Sequence, residues 1–182
     1  MNIAQQQNLA DFVHSNSAHE CGHMTVLFKA GRLAGLNFLP HEAAADGVKG
    51  VLETDAGTQL GKEDCVAFAA GMVGELIWLG QCDFQRLLDD REKVQQIVGQ
   101  PIEDFALAAY EVIKQNLLLF TLLNIEVRKK MFALFKRISS LSHGDYAELP
   151  NEMPIFTLAE VEQVYTRVES TLAAFHEKTE AP

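Results

Sequence analysis

Apolar and polar positions along this chain follow helical spacing at both ends and lose it in one early stretch. Residues 1–14 are expected to form a short leading helix or a tail. Ser15-Asn16-Ser17 offers N-capping side chains for a helix that runs to about Ala30, where Gly31 stops it. Over 32–58, glycines, Pro40 and short β-branched runs replace the helical period. Leu36–Pro40 and Val48–Thr54 read there as two short strands around a loop. A second helix is predicted from Lys62 to Leu79, ahead of Gly80, and is apolar nearly all round, as a central core helix should be. A third begins near Asp89, with Glu92 three residues on and Gly99 and Pro101 after its end. Helical stretches follow at about 102–120 and 122–141, then a polar loop, Ser142–Pro154. The last helix takes Thr157 as N-cap, with Glu160 completing a capping box, and reaches about Lys178. The fold class expected is mainly α, with a small β-sheet inserted after the first long helix. The expected organisation is one domain over 15–182, with a first half at 15–100 and C-terminal helices at 101–182.

Composition narrows the partners. At 182 residues the chain can bury a core without disulfides. Its formal charge of −10 repels phosphate backbones, which argues against nucleic acid. The longest nearly uncharged run, Cys65–Gly80, is too short for a membrane span and is interrupted by Glu75. The first residues lack the charged start and apolar run of a signal peptide. Three cysteines, Cys21, Cys65 and Cys82, form no CxxC pair and fit a reducing, cytoplasmic setting.

The chemistry lies in His19-Glu20-Cys21-Gly22-His23, an HExxH on the first long helix. Two histidines four residues apart share a helix face, so both imidazoles can meet on one ion. Glu20 is offset by one position, where its carboxylate can reach a water on that ion. Zinc lowers the pKa of bound water to about 7, and a carboxylate can then carry the proton to a leaving amine. Chance would produce this pattern in very roughly one chain of this length in a hundred. Cys21 points away from His19 and is expected in the core.

A catalytic zinc usually takes three protein ligands. Position 29, six residues past the second histidine, is Lys29 and cannot serve. Glu42 stands about where a downstream glutamate ligand would fall, but in a probable inter-strand loop by the same reading of turns and strands. The acidic cluster Asp89, Asp90 and Glu92 remains, although acids at a helix start also favour the helix dipole without any metal.

With these residues in view, the chain resembles the peptidase domain of the FtsH-type AAA+ metalloproteases. SAHECGHMTVLF is similar to that family's HEAGH helix, and AAGMVGELIWLG (Ala69–Gly80) to its LAGRAAEELVFG segment. DDREKV (Asp89–Val94) resembles NDLEKA, whose aspartate is the third zinc ligand, and the match places that role on Asp90. FLPH with GVKGVLET is similar to the strand region that holds substrate, and Thr157–Tyr165 to the closing helix. The ordered likeness covers about residues 15–168. The family's ATPase module and membrane anchor have no counterpart here, and no GxxxxGK[ST] occurs. Gln85-Arg86-Leu87-Leu88 replaces the family's small residues before the metal aspartate, and Met72 stands in place of its arginine.

Local geometry points to the same acid. Adjacent side chains on a helix diverge by about 100°, so one of Asp89 and Asp90 aims at the ion. Asp89 is expected to be the N-cap of the third helix, leaving Asp90 free to project toward His19 and His23. The resemblance then implies a zinc metalloendopeptidase: His19, His23 and Asp90 on Zn2+, Glu20 as general base, and an extended polypeptide along Val48–Thr54. A separate ATPase unfoldase and a homo-oligomer are possible partners. The alternatives are a zinc-retaining binding or adaptor module without useful turnover, and a helical protein with an accidental HExxH. His14, His41, His143 and His176 have no ligand spacing, and Trp78, Phe120, Phe132 and Phe135 are assigned to core or interface.

Overall fold

The computed structural model describes residues 3–40, 48–54, 60–84, 87–138 and 153–179. The chain is mainly helical, with a small antiparallel sheet. Helix α1 (Ile3–Lys29) leads into strands β1 (Leu33–Pro40) and β2 (Val48–Thr54). Helices α2 (Lys62–Leu79) and α3 (Leu88–Val98) follow, then a 3-10 turn at Ile102–Phe105. The rest is α4 (Ala106–Gln115), α5 (Leu117–Ile138), β3 (Met153–Thr157) and α6 (Leu158–Thr179). No single helix among the described residues is long and apolar enough to cross a membrane.

Helix α1 is one continuous rod, and the start expected at Ser15–Ser17 is absent. The serines do not cap. Ser17 Oγ donates back to the His14 carbonyl at 3.1 Å and Ser15 Oγ reaches Glu75 at 3.4 Å, so both hydroxyls find partners with the helix intact. Gly31, Gly80 and Gly99 end α1, α2 and α3 where expected, each with positive φ.

The sheet has the order β2-β1-β3. Strand β2 has the expected bounds, and β1 starts three residues earlier than expected, at Leu33. Leu36 sits opposite Leu52 on one side and Phe156 on the other. Strand β3 takes in Met153 and Pro154, the end of the stretch expected as a polar loop. Pairing with β1 makes it a strand, and as an outer strand it tolerates Pro154.

The stretch expected as helices at 102–120 and 122–141 breaks instead at Asn116, and the segments on either side meet at 88°. Asn116 stabilises the corner by donating from Nδ2 to the Val112 carbonyl at 2.8 Å. At the start of α6 the capping box forms as expected. Thr157 N–H donates to Glu160 Oε2 at 2.9 Å, and Glu160 N–H to Thr157 Oγ1 at 3.3 Å.

Helix α2 is the central element, buried from Asp64 to Glu75 and packed on α1, α3 and α4. It meets α1 through small residues. A Cβ on Gly22 would lie 2.0 Å from the Ala70 carbonyl oxygen, so only glycine allows this approach of the two backbones. Helix α5 covers another side of α1 with Phe120, Leu123, Val127, Met131 and Phe135, all buried. Of the aromatics expected in core or interface, Phe120 and Phe135 are buried, Phe132 is 38% exposed, and Trp78 is half-buried against His14 and Phe120.

Candidate metal centre

Two helices bring the three site residues together. His19 and His23 project from α1 one turn apart, and Asp90 comes from the first turn of α3. All three are buried, at 7%, 5% and 6% exposure. Their inner atoms form a nearly equilateral triangle. His19 Nε2 and His23 Nε2 are 3.0 Å apart, and each lies 3.3 Å from Asp90 Oδ2. A tetrahedral zinc with bonds of about 2.0–2.1 Å holds its ligand atoms about 3.3–3.4 Å apart. Two edges of the triangle have that length and the third, between the imidazoles, is 0.3 Å shorter. Asp90 Oδ2 is fully buried and accepts no hydrogen bond with good geometry, so the charge it carries is directed at the centre of the triangle. Two imidazole nitrogens and a carboxylate oxygen at this spacing could hold a metal ion.

Helix α2 fixes the orientation of both imidazoles. His23 Nδ1 lies 2.6 Å from the Ala67 carbonyl, which can only accept, so Nδ1 carries the proton and Nε2 is left as the inward lone pair. His19 Nδ1 donates to Glu75 Oε1 at 2.9 Å. Glu75 is 1% exposed and is held in turn by the Asp83 N–H at 2.9 Å and by Ser15. A carboxylate or carbonyl behind each histidine is the usual support of a metal-binding imidazole. Gly71 lies under the pair: a Cβ there would stand 2.5 Å from His23 Nε2, so its absence gives the rings their room.

Electrostatics agree with the geometry. Burial alone would depress the His19 pKa, but the bonds to Asp90 and Glu75 and the nearby charge of Glu20 outweigh it and push the value up to about 10. Burial would raise the Asp90 pKa, and the two facing imidazoles hold it far below the usual carboxylate range. The site is therefore an anionic pocket that holds a positive charge at its centre, and a metal cation meets the same demand as a proton. Glu20, 8% exposed, is close enough to His19 for its charge to be felt there.

Among the expected residues, His19, His23 and Asp90 form the one group of three ligand-type side chains that converges among the described residues. Asp89 is not the N-cap of α3. That position is Leu87, and the helix bond from Arg91 N–H to the Leu87 carbonyl places Asp89 inside the first turn. The cap argument for choosing Asp90 therefore fails, although Asp90 is the acid in the triangle. Glu92 is exposed on the same helix. Glu42, His41 and His143 lie outside the described residues. Cys21 is in the core, His14 pairs with Arg128, and His176 is exposed on α6. Sequence reasoning did not assign a role to Glu75, and its signal was a single carboxylate inside an otherwise apolar core helix. No protein-family model, no curated protein and no solved structure matches this chain.

Proposed function

We propose that this chain is a zinc-dependent metalloendopeptidase with an FtsH-type peptidase fold. The observation that supports it most is the triangle of His19 Nε2, His23 Nε2 and Asp90 Oδ2, with edges of 3.0–3.3 Å and both Nδ1 atoms already engaged. A zinc ion bound there supplies a water of pKa about 7 and polarises a carbonyl. Glu20, next to a ligand on the same helix, accepts the proton of the attacking water and returns it to the leaving nitrogen. The outer strand β2 receives an extended substrate by main-chain pairing, so sequence preference is weak. Unfolded segments come from loose substrates or from a separate ATPase, and the three free cysteines support a reducing, cytoplasmic setting for the reaction.

The test is cleavage of casein together with elemental analysis of the purified protein. Wild type is expected to carry about one zinc per chain and to lose cleavage with chelator. Glu20→Gln should keep the zinc and lose cleavage by about 10²–10⁴-fold, because an amide cannot take the proton. Zinc without cleavage of any unfolded substrate would favour a binding or adaptor module. Absence of zinc would leave an accidental HExxH.

A further inference from the structure

Hydrolysis by an activated water has two demands, and Glu20 meets only the first, proton transfer. When the water oxygen bonds to the carbonyl carbon, the carbonyl π pair moves onto the substrate oxygen. A full negative charge then has to be stabilised until the C–N bond breaks, the carbonyl re-forms and the nitrogen takes the proton from Glu20. A donor or cation aimed at that oxygen is usually a large contribution to the rate.

Lys93 is placed for it. Asp90 turns Oδ2 to the imidazoles and Oδ1 to the Lys93 ammonium, 3.8 Å away. The same ammonium stands 5.1 Å over the ring of Phe68, which follows Ala67, the residue whose carbonyl holds His23. Lys93 is thus fixed between α3 and α2 at the edge of the triangle. Its side chain is 45% exposed, while those of His19, His23 and Asp90 are at 6–9%, so Lys93 stands on the solvent side of the cluster. The neighbouring cation on α3, Arg91, pairs with Glu103 and lies over Phe84. At 3.8 Å the pair is loose and its ammonium is half-exposed, which leaves the ammonium available to a better anion.

We propose that Lys93 is a catalytic residue of this reaction, its ammonium moving from Asp90 Oδ1 to the oxyanion of the tetrahedral intermediate. This rests on the metallopeptidase reading above. The probe is a hexapeptide capped at both ends whose scissile amide is replaced by a phosphinate, so that its one negative charge mimics the oxyanion. Zinc-loaded wild type, Lys93→Met and Lys93→Arg are titrated by calorimetry. Lys93→Met should bind the phosphinic peptide at least about tenfold more weakly and Lys93→Arg within a few-fold of wild type, with equal zinc content in all three. The ordinary amide peptide should bind equally to Glu20→Gln and to Glu20→Gln with Lys93→Met, since it carries no charge at that oxygen. In turnover, kcat of Lys93→Met should fall about a hundredfold with KM unchanged. Equal phosphinate affinity in wild type and Lys93→Met overturns the proposal. So does loss of zinc in Lys93→Met, which would make Lys93 a support of Asp90. Wild type that holds no zinc, or that holds zinc and ignores the phosphinic peptide, overturns the metallopeptidase reading itself.

Discussion

Helix α1 presents two contrasting faces. Toward α2 it shows Ala18, His19, Gly22 and His23, set against Ala67, Ala70, Gly71, Gly74 and Glu75. Backbones nearly touch there, and both imidazole Nδ1 atoms have a directed partner. Toward α5 the contact is made by large apolar side chains, with Phe12 edge-on to Phe135 at 5.0 Å, and Phe120, Leu123 and Val127 fully buried. One polar side chain on α5, Asn124, is completely buried with neither amide atom bonded. The first face sets positions to a fraction of an ångström, because glycines and hydrogen bonds leave no slack. The second fills volume, and volume can be filled in more than one way. Stability and site geometry are therefore carried largely by different contacts of one helix.

Four substitutions can break that division, and a fifth is its control. Phe120→Ala on the filling face should have the largest effect, a loss of about 3–5 kcal/mol of stability. The protein that remains folded should still carry one zinc, as urea unfolding and elemental analysis would show. Zinc lost in step with stability would mean that the two faces are not separable. Gly22→Ala comes next, at about 1–3 kcal/mol or somewhat more, because its Cβ meets backbone that no rotamer change can move. Unlike Phe120→Ala, it should release zinc even where the chain stays folded, since α1 must shift off α2. Glu75→Gln should weaken zinc binding by about 10–100-fold in a competing-chelator titration, with little change in the midpoint of unfolding. An unchanged zinc affinity would show that Glu75 only fills space.

Asn124→Leu should stabilise the fold by about 1 kcal/mol and leave zinc affinity alone, because it removes an unsatisfied buried amide from the filling face. A loss of stability instead would reveal a bonded role for that amide. The control lies outside both faces. Glu160 has its pKa lowered: burial raises it, but Lys130 and the Thr157 cap together outweigh that. Its contribution is therefore fully present above the ordinary glutamate pKa and is lost as pH falls through the lower folded value. Glu160→Gln should cost roughly 0.5 kcal/mol at neutral pH, the group being partly exposed and screened, and nothing in strong acid. Zinc affinity should not move at neutral pH.

Much of this organisation was legible in the chain. The HExxH spacing placed two imidazoles on one helix face, and Gly31, Gly80 and Gly99 marked helix ends. Thr157 with Glu160 marked a helix start. These are local rules, enforced by backbone geometry within one or two turns, so they hold wherever the segment ends up. Nothing local marked β3, which is a strand because β1 offers it an edge. Ser15–Ser17 looked like a cap because serine hydroxyls compete for backbone. The long packing of α1 on α2 and α5 decided for helix, with the hydroxyls satisfied inside it.

The third member of the triangle shows the boundary most clearly. By itself, the sequence determined the residue types, their helical phase and an acidic start to α3. Asp89 was given the cap by a local argument that failed, since the cap of α3 lies two residues earlier, at Leu87. That Asp90 meets two histidines about seventy residues away, that Glu75 and the Ala67 carbonyl hold their tautomers, and that Gly71 leaves them space were decided by the tertiary structure. The physical reason is range. Dihedral and capping preferences act over a few residues, whereas a convergent site depends on how whole helices cross, and that crossing is set by the sum of all the side chains between them.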